Sequence, residues 1–455
     1  MAISIREILT GAIPLGIANA TIVLMPMMDT IMLARHGIPD LVSGGLSMQI
    51  YSLLFIMGEG IVLGFAPIYG RYLEAKETTN AEATKRAALI LITLYSVIVA
   101  TILFFGSELM AVLEQPTVRA EHAKHYMALL GLSCLPNLLF IYHWEILAFE
   151  GDGRHIVIAA AFQLASNVAL NFIFIYGNSF LPALGVTGAG IGTCISSWLG
   201  LALIYAYANR KFQNHPNNEL RNRASPHQCL LKAGEIIKIG VPIGLTIIST
   251  VGFLSVSAFT MSQYPEEALA AHLAILQLNE VVVVFALGFS EYCAIQVSAK
   301  VRFQTKTQMI EFFKKTVGTA IFFICFLLAA MYIFRDFIFE IFFSSLSNEN
   351  LTIVRHMERF LRLSILFLII HTYALTISGI LRGCEIVRLP LLVNIFGLWG
   401  VGYVSQNVLL SLNPGQPEGI WHGMQYGFTA AAVGASLLLL KALTRPKYPL
   451  DFHSS

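Results

Sequence analysis

"REILTGAIPLG" (Arg6–Gly16) returns as "GEIIKIGVPIG" (Gly234–Gly244), 228 residues further on. Sliding the chain by that distance sets Glu7 on Glu235, Ile8 on Ile236, Pro14 on Pro242 and Gly16 on Gly244. The register persists downstream, where Gln49 falls on Gln277, Gly60 on Gly288 and Ala66 on Ala294. A paired Pro-x-Gly opening each copy is hard to obtain by accident in apolar sequence. The chain therefore reads as a duplication with both copies in the same direction, a pattern typical of secondary transporters.

The composition says what solvent surrounds the two copies. Of 455 residues, 56% are hydrophobic and 12% charged, about half the charged share of a soluble domain. That is too little polar surface to cover a globule in water, so the expected class is an all-α polytopic membrane protein. No stretch alternates like a barrel strand, and helices satisfy their own backbone in lipid. Each crossing takes about 20 apolar residues. The sequence offers twelve: 8–34, 45–70, 87–112, 125–149, 156–177, 186–208, 236–262, 268–299, 312–334, 357–381, 389–411 and 419–440. The first is too long for a signal-peptide core and no small-residue cleavage pattern follows it. The polar stretch Asn209–Gln228 separates six spans from six. The expected organisation is an N-terminal lobe at 1–208, a cytoplasmic linker at 209–234 and a C-terminal lobe at 235–455. Assigning every lysine and arginine to its nearest loop puts 22 on the side of the N-terminus and 7 on the other. The excess marks the cytoplasmic side. An even number of spans then places both termini there.

Several classes of function drop out. The formal net charge is +2, with no basic face for nucleic acid. No GxxxxGK[ST] motif occurs, which argues against an ATP-driven pump. The six cysteines include no CxxC pair and read as small apolar residues. His122 and His125 are three apart but have no obvious third ligand, so no metal site is expected. An enzyme is not expected either.

Further pieces carry a resemblance: "MDTIMLARHG" (28–37), "GEGIVLGFAPIYG" (58–70), "FEGDGR" (149–154) and "NVALNFIFIYG" (167–177). "LGVTGAGIGT" (184–193), "LAAHLA" (269–274) and "GILRG" (379–383) continue it. In this order and spacing the chain resembles the multidrug and toxic compound extrusion (MATE) transporters over essentially its whole length. The resemblance implies two six-helix lobes in a V around a central cavity. It implies export of organic, often cationic, solutes against proton or sodium entry, with no other cofactor. The chain departs from the family in several places, among them Glu59, Glu145, Glu280 and Glu291, which stand where the family carries uncharged or different residues. Thr250 and His371 stand where sodium-coupled members carry a glutamate and an aspartate, and Asn171 stands where archaeal-type members carry an aspartate. The loss of the second-lobe acids at Thr250 and His371 favours protons over sodium.

Asp29 is the sharpest single feature. An acid inside a span costs a few kcal/mol on insertion scales and tends to mark an ion path. The alternative is an acid at the interface, since Ile8 to Met28 already suffices to cross. The match to the family's Asp-Thr favours cation coupling. Asn167 and Asn171 lie four apart on one face of span five, and Thr193 on span six can join them, as their family counterparts do near this acid. Pro14 and Pro26 lack a backbone donor and can bend span one. Glu280 and Glu291 are eleven apart and share a face of span eight with Gln277. With Glu59 in span two and His371 in span ten, they are the candidates to line a substrate cavity or to pair internally. Histidine titrates in the physiological range. Glu145 is expected to be structural, facing Arg154.

The expected function is a secondary antiporter in the plasma, or bacterial inner, membrane. It exports amphipathic, cationic small molecules as a monomer embedded in the lipid bilayer, without nucleic acid. A lipid-linked precursor flippase of the same superfamily is the rival, but its cavity would be strongly cationic. A non-transporting receptor or scaffold is the other alternative, and it predicts no flux that depends on Asp29.

Overall fold

The computed structural model describes residues 4–113, 115–149, 153–213, 225–298, 306–343, 348–384, 386 and 388–444. Residues 150–152 of "FEGDGR" and 214–224 of the expected linker lie outside them. Among the described residues every regular element is helical. In the first half these are α1 (Ile5–His36), α2 (Ile38–Glu74), α3 (Thr78–Phe104), α4 (Gly106–Val112), α5 (Thr117–Phe149), α6 (Gly153–Tyr176) and α7 (Gly185–Gln213). In the second they are α8 (Pro226–Met261), α9 (Glu266–Ser298), α10 (Lys306–Ile333), α11 (Arg335–Phe342), α12 (Asn348–Gly383), α13 (Arg388–Ile395), a π-helical stretch (Phe396–Tyr403), α14 (Val404–Leu412) and α15 (Glu418–Thr444). Eleven of the described helices are long and apolar enough to cross a membrane. The protein is a multi-pass membrane protein. Large side chains bared to the outside, such as Leu94, Val97 and Ile98 on α3 or Phe322 and Phe326 on α10, are the lipid-facing surface of such helices.

Chain packing divides into two compact units, Met28–Ser255 and Met1–Met27 with Val256–Ser455. The division falls just past Pro26 in α1, and again 228 residues later inside α8. Each copy of the repeat thus gives its leading segment to the unit built mainly by the other. This exchange differs from the linear lobes expected at 1–208 and 235–455. Helix periodicity carries no information on which bundle a helix end joins.

In the unit Met28–Ser255, α5 packs against α2, α3 and α7, and α6 lies along α7. Its core includes Tyr126, Leu130, Cys134 and Leu138, with a ring cluster of Phe65, Tyr69 and Tyr142. Local chemistry sets the helix starts. Pro39 lies in the first turn of α2 with Asp40 beside it, where a missing N–H costs nothing and an acid meets the positive helix end. Ser225 and Gln228 cap α8 reciprocally, each side chain bonding the other's backbone N–H at 3.0–3.2 Å.

In the other unit α9 and α12 form the main pair, flanked by α10 and α15. Ile8 and Ala12 of α1 are buried in its core with Phe289, Cys293, Ile377 and Ile380. The single span expected at 389–411 is found over Arg388–Leu412, with a π-helical stretch in its middle. Gly397, Gly400 and Gly402 fall in the π-helical stretch, where Gly397 packs on the backbone of Ala431 and Gly402 on Gly427. Backbone this close to α15 accommodates the wider turn, and π-turns recur at functional sites.

The duplication is visible in atoms. A Cβ on Gly60 would stand 2.8 Å from Gly240 O and from Gly244 N, and one on Gly288 would stand 2.5 Å from Ala12 O and from Gly16 N. These two crossings map onto each other under the 228-residue shift. Close backbone approach through small residues is how helices associate in lipid. Gly288→Ala is expected to cost about 1–3 kcal/mol, because the backbone must move to admit it. A lowered unfolding midpoint in detergent is the check. Gly318→Ala, with nothing within 4 Å of its Cβ, is the control expected to show little change.

Candidate cation site

Asp29 lies one turn past Pro26 in α1 and is 2% exposed. It has three polar neighbours from two other helices. Asn171 Nδ2 donates to Oδ1 at 2.5 Å and Thr193 Oγ1 donates to Oδ2 at 3.1 Å. Asn167 Nδ2 donates to Thr193 Oγ1 at 3.2 Å, and its Oδ1 accepts from Asn171 Nδ2 at 3.3 Å. Asn167 and Asn171 are fully buried and Thr193 nearly so. Four residues thus close a ring of hydrogen bonds inside one unit. Asn171 Oδ1 is left with no donor among the described residues. It abuts Gly192, whose lack of a side chain makes room for the amide.

The alternative of an acid exposed at the interface does not fit the burial of Asp29. A buried carboxylate without a cationic partner is costly, and three neutral donors and acceptors only partly offset it. Such a group is neutralised by a proton or by a small hard cation. The four oxygens available (Asp29 Oδ2, Asn167 Oδ1, Asn171 Oδ1 and Thr193 Oγ1) are the donor type such a cation takes. Among the described residues no group of three His, Cys, Asp or Glu side chains could hold a metal ion.

The repeat puts Ser257 at the position equivalent to Asp29. There Ser257 Oγ donates to Gln406 Oε1 at 3.2 Å, and Gln406 Nε2 donates to Thr260 Oγ1 at 3.1 Å. The second copy therefore answers the first copy's carboxylate with a neutral, self-satisfied network. Sequence reading missed it because Gln406 joins only through the fold.

The remaining residues are dispersed. Pro14 and Pro26 both sit inside an unbroken α1. Glu59 has Glu145 as its charged neighbour. The expected Glu145–Arg154 pairing is not found among the described residues; Arg154 is exposed at the start of α6. Glu291 accepts from Asn19 at 3.3 Å and lies near Arg382. That arginine donates to Ser290 Oγ at 2.9 Å, and Ser290 in turn donates to Leu375 O at 2.6 Å. Glu291 is thus internally paired, whereas Glu280 and Gln277, both half-buried, have no polar partner among the described residues. The ring contact of His272 with Phe360 and the close approach of Ser290 to Gly379 show α9 and α12 running parallel. At that offset His371 lies within a turn of Asn279 and Glu280. His371 packs on the rings of Phe428 and Phe367, at 4.4 and 5.6 Å. Asn279, 3% exposed with neither amide atom bonded among the described residues, is a further polar residue at this level. An amide flanked by leucine and glutamate gave no separate signal in the sequence.

A second carboxylate was also missed. Asp40 Oδ2 meets His36 Nδ1 at 2.5 Å, and Asp40 Oδ1 meets His122 Nε2 at 2.8 Å and the backbone N–H of Val186 at 2.8 Å. His122 thus turns to a carboxylate on another helix and not to His125.

A duplicated bundle of membrane helices with a lone acid closed into a neutral polar ring is an architecture suited to a membrane transporter. A sequence model of the MatE family matches residues 14–173 and 242–407, and the chain belongs to that family of transporters; it is not an enzyme. Among its relatives, "Probable multidrug resistance protein NorM" of Streptococcus pneumoniae is 26% identical, covering 87% of this chain and 86% of that one. The protein of the same name from Oceanobacillus iheyensis is 25% identical over 94% of each chain. A solved structure described as the inward-facing conformation of a multidrug resistance MATE family transporter superposes with a TM-score of 0.82 at 19% identity. It covers 95% of this chain and 96% of that one. A Pyrococcus furiosus transporter of the MOP superfamily gives a TM-score of 0.74 at 20% identity, covering 97% of each chain.

Proposed function

We propose that this protein exports amphipathic, cationic organic compounds across the plasma membrane, the inner membrane in a bacterium, in exchange for protons. Sodium is the second cation the oxygens of the site would take. α1 completes twelve spans in two lobes, both termini are cytoplasmic, and the monomer works by alternating access. The printed names of the relatives, multidrug resistance proteins, support the substrate class. The observation that carries the reading is the isolation of Asp29: a buried carboxylate with only neutral partners, beside a proline in the helix the two units share. Neutralising it changes what that helix segment can pack against, which ties cation occupancy to shape. Half-buried Glu280 and Gln277, with His371 at their level, are the groups proposed to meet a cationic solute. The predominance of acids inside the helices argues against an anionic lipid-linked cargo.

The test is efflux of a cationic dye from proteoliposomes under an imposed proton gradient, an imposed sodium gradient, or neither. Proton-driven efflux is the expected result. Efflux driven by sodium alone would reassign the coupling ion, and flux indifferent to both would remove antiport.

A further inference from the structure

We infer that His36, Asp40 and His122 form a proton-collecting relay that loads and unloads Asp29 from the end of the unit where α1 meets α2. The inference rests on the proposed proton exchange and adds to it the groups by which the proton arrives.

The starting point is geometry within the unit Met28–Ser255. Asp40 receives His36 from α1, His122 from α5 and the Val186 N–H that opens α7. The approach of Val186 depends on Gly185, which has φ +52 and whose Cβ would fall 2.5 Å from Asp40 Oδ1. The same helix faces lead to Asp29. His36 is seven residues after Asp29 on α1, and Val186 is seven before Thr193 on α7. Seven residues are two turns, on one face and about 10.5 Å apart along the axis. On α5, Tyr126 follows His122 by one turn and lies within electrostatic range of Asp29. Tyr176 donates from its hydroxyl to Met32 O at 2.9 Å, between the two levels, with its ring 6.1 Å from that of His36. Three helices therefore carry polar groups at both levels.

The exposure gradient has the direction a relay needs. The side chains of His122 and His36 are 43% and 27% exposed, Asp40 is 9% exposed, and Asp29 is buried. Here two imidazoles share one carboxylate, and both keep a second ring nitrogen. An ionised carboxylate only accepts, so Nδ1 of His36 and Nε2 of His122 carry the hydrogens facing Asp40. The opposite nitrogen of each ring is then the base that takes a proton from water. The imidazolium so formed gives up the proton on its inner nitrogen to Asp40, from which one proton passes inward to Asp29 past the Tyr176 hydroxyl. Asp29 goes from carboxylate to carboxylic acid, the imidazole returns to neutral, and charge is conserved.

Other charged or titratable groups surround this end. Arg35 adjoins His36, and α5 carries Arg119, Glu121, Lys124 and His125. Arg119 is bonded to Gln115 at 2.6 Å, and Glu121 stands 3.9 Å from Lys124. Glu108 on α4 lies near Lys124. α2 contributes Asp40 alone and α6 only Tyr176, while the start of α7 contributes no charge.

The test compares His36→Gln/His122→Gln, in which an amide can still donate to Asp40 but cannot titrate, with wild type and with Asp40→Asn. Proton-driven dye efflux from proteoliposomes is measured over external pH 5.5–8. For the histidine pair, efflux should match wild type near pH 5.5, where bulk protons suffice, and fall at least about fivefold by pH 7.5. Dye affinity and melting temperature should hold. Asp40→Asn should shift the profile in the same sense. An unchanged profile would overturn the relay, as would an equal loss at every pH with a lowered melting temperature, the mark of a pin. Wild type without proton-driven efflux would instead bring down proton exchange itself, and the relay with it.

Discussion

Asp29→Asn is expected to lower gradient-driven efflux by about two orders of magnitude, equivalent to about 2.7 kcal/mol, while leaving dye binding within a few-fold of wild type. A cation shifts a conformational equilibrium only by its difference in affinity for the two states. Moving a population from 1:99 to 99:1 takes about 5.5 kcal/mol of such difference. The carboxylate is the one formal charge in the ring formed with Asn167, Asn171 and Thr193, and a carboxamide does not offer a cation that difference. The variant should fold at a modest cost. Its amide oxygen can accept from Asn171 or Thr193, but its amide nitrogen faces the other donor, an unmade bond worth about 1–3 kcal/mol. Efflux from proteoliposomes, with the melting temperature in detergent as the folding control, decides it. Undiminished flux would end the coupling role of this acid.

Gly192→Val should reproduce much of that loss without removing a polar atom. A Cβ at this position would lie 3.1 Å from Asn171 Cγ and nearer still to its amide oxygen. Asn171 must then turn away, and Asp29 loses its shortest hydrogen bond. The carboxylate keeps Thr193 as a donor, so the effect is smaller, about tenfold or 1.4 kcal/mol. Gly234→Val, with nothing within 4 Å of its Cβ, should leave transport unchanged. Equal flux in both variants would mean that the amide beside Asp29 has no part in coupling.

The two variants probe features of different legibility. Asp29 announces itself in the sequence because a carboxylate between apolar runs is expensive wherever the runs are buried. Asn167 and Asn171 follow from four-residue spacing, and their direction toward Asp29 from a family pattern. Gly192 has no such signal, since nothing in "GIGT" says which side chain presses against it. His122 shows the limit of local spacing, since its bond runs to Asp40, 82 positions distant. Glu145 likewise lies by Glu59 and not by Arg154. In each case the contact crosses between helices, and periodicity along one helix is silent about rotation against its neighbour.

By itself the sequence determined the solvent, the helical class and the duplication. Each depends on sums over many residues, in which individual ambiguities average out. It also marked the one carboxylate that apolar surroundings make conspicuous. Only the tertiary structure decided that the leading segment of each copy packs in the other copy's unit, that Ser257 and Gln406 stand in for a second acid, and that Asp40 gathers two imidazoles. These depend on which helix faces meet, set by close approaches such as Gly60 on Gly240 and Gly16 on Gly288. A few tenths of an ångström of packing between residues hundreds of positions apart leaves no trace in local pattern.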